Sequence, residues 1–167
     1  MVHRRELEHA SAMAGEAEDA LRLAQGALAP FPKIAHAGFL HDAEKEFAEA
    51  KLLAAFVDGA PLPDFNELMI EPAAWLNGLA EAASELRRFL LDELRRGDHS
   101  RGDELLEDMD DVYEVLVSID FPDALTGGLR RTTDAFRAVL ERTRSDYTTT
   151  VMQEQLRLAI VQRTSDN

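Results

Sequence analysis

The chain has 167 residues, 46% of them apolar and 7% aromatic, which suits one domain with a true core and excludes collagen-like, mucin-like and wholly disordered chains. It has no cysteine, hence no disulfide framework and no thiolate zinc site; with no export signal and no apolar run near bilayer length, a cytoplasmic protein without membrane insertion is expected. Its 32 acidic and 18 basic residues leave a formal net charge of -14, ordinarily unfavourable to a nucleic-acid partner, but the only lysines are Lys33, Lys45 and Lys51, a composition expected of a protein working in concentrated salt, where net charge says little about partners.

Helical periodicity runs through nearly the whole chain and no stretch alternates long enough for a strand, so the fold class is all-α, one domain over residues 1–167. A first helix is expected from Arg4 to Ala29, stopped by Pro30-Phe31-Pro32. A second should run from Lys33 to Val57 and end at Asp58-Gly59, with Pro61-Leu62-Pro63 opening a connection to Glu71-Pro72. Pro72 suits the first turn of a third helix, which carries Trp75, Leu79, Ala82, Leu86 and Phe89 on one face before Gly97 stops it. A fourth covers Asp103 to Ile119. After Phe121-Pro122 and Gly127-Gly128, a last long helix with Phe136, Val139 and Leu140 should reach about Val161, followed by a polar tail.

Carboxylates on the second and third helices are the most informative side chains. At about 100° per residue, Glu46 is expected in the middle of an apolar stripe of Phe39, Ala50, Leu53 and Val57, with Asp42 and Glu49 one turn either side. Like charges so placed need compensation by protonation, arginine pairing or a divalent cation on oxygen ligands. Glu81 and Glu85 offer a second pair, with Gly78 on the same side permitting close approach of another backbone. Four carboxylates from two packed helices can hold Mg2+ or Mn2+ and leave positions for water and a phosphate oxygen, an arrangement suited to phosphodiester hydrolysis. A solvated acidic face is the competing reading. A di-iron carboxylate bundle would need two Glu-x-x-His motifs, and Glu6-Leu7-Glu8-His9 alone qualifies.

The segment Phe39 to Ala50, with Glu46-Phe47-Ala48-Glu49-Ala50, and the segment Trp75-Leu76-Asn77-Gly78-Leu79-Ala80-Glu81-Ala82-Ala83-Ser84-Glu85-Leu86-Arg87-Arg88 resemble the translin family. Arg96-Gly97-Asp98-His99-Ser100-Arg101 is similar to that family's Gly-Asp turn, and the resemblance covers roughly residues 33 to 160. It implies an antiparallel multi-helix bundle of the translin type with a shortened first helix, assembled as a homo-oligomer, often an octamer, that encloses single-stranded RNA or DNA. By motif matching to the catalytic branch, translin-associated factor X, it also implies a magnesium- or manganese-dependent endoribonuclease with Glu46, Glu49, Glu81 and Glu85 as metal-binding and catalytic residues. The third of these acids is usually aspartate in that branch. Lys33, His36 and His41 stand in the family's basic nucleic-acid segment, here thinned.

Arg88 is a further candidate for nucleic-acid contact. The doublets Arg87-Arg88, Arg95-Arg96 and Arg130-Arg131 could fork onto phosphates, although helix-end and intersubunit ion pairs are the commoner use. His99 reads as a surface histidine, with a proton shuttle as the sharper alternative. Trp75 and Phe89 read as core residues.

Overall fold

The structure, a computed structural model, describes the backbone of residues 2–165 and the side chains of residues 12–164. Its elements are α1 (Val2–Leu28), α2 (Pro32–Ala35), α3 (Phe39–Asp58), α4 (Pro72–Arg95), α5 (Gly102–Ser118), α6 (Asp123–Thr126) and α7 (Leu129–Ser165). The all-helical expectation is met, and the described residues contain no strand. No helix among them is long and apolar enough to cross a membrane.

Three expectations about the elements are corrected. The single helix from Lys33 to Val57 is broken at residues 36–38, where Gly38 takes φ 105°, a value that L side chains rarely adopt and that ends the α2 turn before α3 begins. The link between Pro122 and Gly127 contains the short helix α6, and α7 continues to Ser165 rather than ending near Val161. The other helix ends fall within two residues of the sequence reading. Pro72 opens α4, and Gly59, in the left-handed conformation, caps α3 by donating its backbone N–H to the carbonyls of Ala55 and Phe56.

Helix α4 is the centre of the bundle, packed on α3, α5 and α7, while α1 covers α3. Its buried side is set by Leu79, Ala82, Ala83, Leu86 and Leu90, which meet Leu52, Leu105, Met109 and Phe136 of the surrounding helices. Each buried leucine or phenylalanine contributes about 1.5–3 kcal/mol relative to exposure, so this shared face dominates the cohesion of the fold. Trp75 and Phe89 are half-buried against the same core, as their spacing suggested.

Antiparallel packing holds for α1 on α3, where Gln25 meets Glu44 and Glu18 meets Lys51, and for α5 on α7, where Gly102 lies against Tyr147 and Leu116 lines a hollow with Leu129. By contrast, α3 and α4 run in the same sense. Glu44, early in α3, accepts the backbone N–H of Glu71 at the start of α4, and Val57, late in α3, is held by Arg101 just beyond the end of α4. Residues 59–71 make this possible by returning along the bundle. Leu68 and Ile70 bury into the core, Asp64 accepts the N–H groups of Asn66 and Glu67, and Arg22 and Gln25 of α1 donate to the carbonyl of Met69. The parallel pairing matters because it places the middle of α3 against the first half of α4.

Candidate metal centre

Gly78 fixes how closely those two helices meet. A Cβ there would lie 2.7 Å from the Ala48 Cβ and 2.8 Å from the Lys45 carbonyl oxygen, distances that real side chains essentially never show, and a tight 3.0 Å from the Glu49 nitrogen. The expected close approach at Gly78 is therefore present, and it is the α3 backbone that arrives there. One turn on, Glu81 faces Glu46 and Glu49, which lie three residues apart on α3. One carboxylate oxygen from each of the three falls within 4.8 Å of the others.

The fourth expected member, Glu85, is exposed and outside this triad among the described residues. Its charge still reaches Glu49, whose carboxyl is held above its ordinary range by partial burial first, then by the charges of Glu81, Glu46 and Glu85, with Lys45 opposing. Lys45 is the cation that the sequence reading overlooked. Its Nζ donates to Glu81 Oε1 at 2.9 Å and lies 2.8 Å from Glu81 Oε2 and 3.3 Å from Glu46 Oε1. Burial pulls the Lys45 ammonium down, but the hydrogen bonds and charges of Glu81 and Glu46 outweigh it, so its pKa is raised and it stays protonated. Lys45 stands four residues before Glu49 and so on its side of the helix, but its pairing with Glu46 and Glu81 depends on how α3 meets α4.

The apolar stripe assigned to α3 is also corrected. Phe39 is 78% exposed, Ala50 is exposed, and the Glu46 side chain is 67% exposed. The buried side of α3 is Glu44, Phe47, Ala48, Leu52, Ala55 and Phe56. Apolar residues surround this helix nearly all the way round, so periodicity alone did not choose between two overlapping stripes. The acid in the core is Glu44, 3% exposed, and its neighbours explain how it is tolerated: Gln25 Nε2 donates to it at 2.7 Å and the Glu71 backbone N–H at 3.2 Å. Asp42 is exposed and joins no acidic cluster among the described residues. The side chains of Glu6-Leu7-Glu8-His9 lie outside the described residues.

The donor set of the triad fits a divalent cation. It supplies three hard oxygens from two rigid helices, partly shielded, where burial first and the neighbouring carboxylates second hold the Glu49 carboxyl up despite the adjacent ammonium. A magnesium-sized ion with bonds of about 2.0–2.1 Å holds opposite ligands at most about 4.2 Å apart, so small rotations of the glutamates would close the set.

The four residues expected at nucleic acid are not gathered in one place. Lys33 and His36 are exposed on or beside α2, and His41 is half-buried at the start of α3. His36 and His41 line one hollow of about 700 Å³ with Gln25, Glu44 and Leu125; Arg88, exposed on α4, is not part of it. Arg87 is structural: it donates to Asp146 at 2.7 Å and to Thr143 at 3.3 Å, tying α4 to α7. Arg95 and Arg96 pair with Asp92 and Glu93 one turn back, the helix-end use expected of them. Arg131, exposed on α7, lines a hollow of about 260 Å³ that Glu81 of α4 also lines. His99 is half-buried, and its Nδ1 is enclosed with no hydrogen-bond partner among the described residues.

No family model matches the chain. An uncharacterized protein of Methanocaldococcus jannaschii, MJ0175, is 32% identical over 131 residues, which are 78% of this chain; the chain spans 58% of that curated relative's length. Among solved structures, the crystal structure of AfC3PO superposes with a TM-score of 0.79 at 34% identity over 91% of this chain and 79% of that one. The AfC3PO–duplex RNA complex superposes with a TM-score of 0.69 at 30% identity, covering 90% of this chain and 94% of that chain. Apo-NeC3PO, at 19% identity and a TM-score of 0.78 over 88% of this chain and 76% of its own, shares the fold. These are translin-family structures, and identity of this level across nine-tenths of the chain goes together with a common helical architecture. The chain belongs to the translin family.

Proposed function

We propose that this chain binds RNA and is a divalent-metal-dependent endoribonuclease acting on single-stranded RNA inside an oligomeric shell of its own copies, octameric as the resemblance implies, in a cytoplasm of high salt. The observation that carries the reading is the convergence of Glu46, Glu49 and Glu81 from two helices to within 4.8 Å. Family membership and the RNA in the AfC3PO complex support a nucleic-acid partner.

In this reading Glu46, Glu49 and Glu81 hold Mg2+ or Mn2+, and Glu85 deepens the negative field around them. The ion when bound supplies positive charge to the scissile phosphate and acidifies a water for attack. The chain's own contribution is positional. The α3–α4 contact at Gly78 fixes the carboxylates relative to one another, and Arg131, which lines a hollow with Glu81, offers a fork for the phosphate oxygens. Lys33, His36, His41 and Arg88 would steer the strand from outside the triad.

A second reading is favoured by Lys45. An ammonium already paired with Glu46 and Glu81 makes the acids self-sufficient, as in a non-catalytic shell that binds single-stranded RNA or DNA. One assay separates the two: the purified protein in high salt with a labelled single strand and with a duplex of the same sequence, each with Mn2+, with EDTA, and with Glu46→Gln in place of the parent. The hydrolytic reading expects cleavage of the single strand that EDTA abolishes and Glu46→Gln lowers by about a hundredfold or more. Retention of the strand without cleavage favours the binding shell, and neither retention nor cleavage at any salt concentration overturns both.

A further inference from the structure

We propose that Lys45 is a built-in counter-ion of the carboxylate site: it holds the acids of α3 and α4 together when no divalent ion is present and must be displaced for one to enter, so that it sets the affinity of the site for metal. This rests on the metal reading above and adds to it a residue that determines how tightly the ion is held.

The geometry points to Lys45 for three reasons. First, its ammonium bridges the two helices, with Glu81 oxygens at 2.8 and 2.9 Å and a Glu46 oxygen at 3.3 Å, so it pairs with two of the three carboxylates of the triad. Second, an ammonium has three donors and no lone pair, so it cannot join the coordination of a dication and can only compete for the same oxygens. Third, it is anchored at its base while its paired head group can be displaced. The Lys45 carbonyl lies in the tight contact with Gly78, which fixes the backbone, while the four-carbon stem can swing the head group outward and its side chain is already 20% exposed.

The screening length falls to about 3 Å at 1 M salt, but the Lys45 head group is largely buried against the carboxylates and partly buried charges are screened much less than exposed ones, so its repulsion of a dication persists there. Removing that charge while keeping a polar side chain should tighten metal binding; keeping the charge on a different stem should not.

The test is calorimetric titration of the intact protein with MnCl2, comparing the parent, Lys45→Gln, Lys45→Arg and Glu46→Gln, with circular dichroism to verify the fold and thermal melts with and without Mn2+. The expected result is that Lys45→Gln binds Mn2+ about tenfold or more tightly than the parent, whereas Lys45→Arg stays within about threefold of it. Without metal, Lys45→Gln should melt below the parent, and Mn2+ should raise its melting temperature by more than it raises the parent's. Parental or weaker Mn2+ binding by folded Lys45→Gln, or equal tightening by Lys45→Arg, overturns the role of Lys45 while leaving the metal site standing so long as Glu46→Gln binds less Mn2+ than the parent. Absence of Mn2+ binding in both the parent and Lys45→Gln overturns the metal reading and this inference together; binding in Lys45→Gln alone supports both.

Discussion

At Glu49, burial and the charges of Glu81, Glu46 and Glu85 favour the protonated carboxyl in the folded protein. A carboxyl whose folded pKa is raised is neutral in both states at low pH and costs nothing there. As pH climbs from the unfolded carboxylate value through the raised folded one, the unfolded chain releases its proton first, so this residue progressively lowers stability and the deficit persists at neutral pH. Glu49→Gln is therefore expected to melt about 1–2 °C above the parent at neutral pH without metal, and to match it at pH values below the carboxylate range. Melts across that pH series check it; a lower melting temperature for Glu49→Gln at neutral pH would mean that Lys45 compensates Glu49 fully. Glu44 shows the other way a fold accommodates an acid, since two donors close on a side chain that is 3% exposed. Arg101 does comparable work for the backbone, donating to the carbonyls of Phe56 and Val57 that end α3.

Between elements, the decisive contact is α3 against α4. Alanine is the better helix former by about 1 kcal/mol, so propensity alone would favour replacing Gly78. Packing reverses the sign: the added methyl would meet the Ala48 side chain and the α3 backbone, neither of which can yield without moving the helix. Gly78→Ala is expected to cost about 1–3 kcal/mol and lower the melting temperature by about 3–10 °C. Because the same movement separates Glu81 from Glu46 and Glu49, it should also weaken Mn2+ binding, measured by the same titration. Unchanged stability and unchanged Mn2+ affinity would show that the two helices are not locked at this point. The buried Asn77, which donates to Ala73 and Thr126 and accepts from Thr132, secures the other side of α4 to α6 and α7, so strain at Gly78 has few ways to relax.

For the whole molecule, the net charge of -14 opposes compaction through self-repulsion, which salt screens. Raising KCl from roughly 0.1 M to about 2 M should raise the melting temperature by several degrees, the outcome expected of a protein adapted to concentrated salt. A melting temperature that falls over the same range would remove that expectation. Apolar side chains left exposed along the far end of α7, among them Met152, Leu156 and Ile160, fit the proposed oligomer. Light scattering in high salt should return a multiple of the 18.6 kDa chain mass; a monomer at all concentrations would leave the shell without support.

Periodicity, proline and glycine determined most of the architecture from the sequence alone. Helix ends at Asp58, Pro72 and Arg95 follow from local backbone chemistry, which needs no knowledge of neighbouring helices. The candidate site was legible as residue types, because Glu46, Glu49 and Glu81 recur at helical spacing beside Gly78 and sit in segments resembling a known family. Which side of α3 faces inward was not legible, since apolar residues nearly encircle that helix and only the neighbouring helices α1 and α4 select Phe47 and Leu52 over Phe39 and Leu53. Tertiary structure likewise decided that α3 and α4 run side by side in one direction, that Glu44 rather than Glu46 is the buried acid, and that Lys45 enters the cluster. Each of these depends on the register between two helices, a distance across the fold that the order of residues along either helix does not contain.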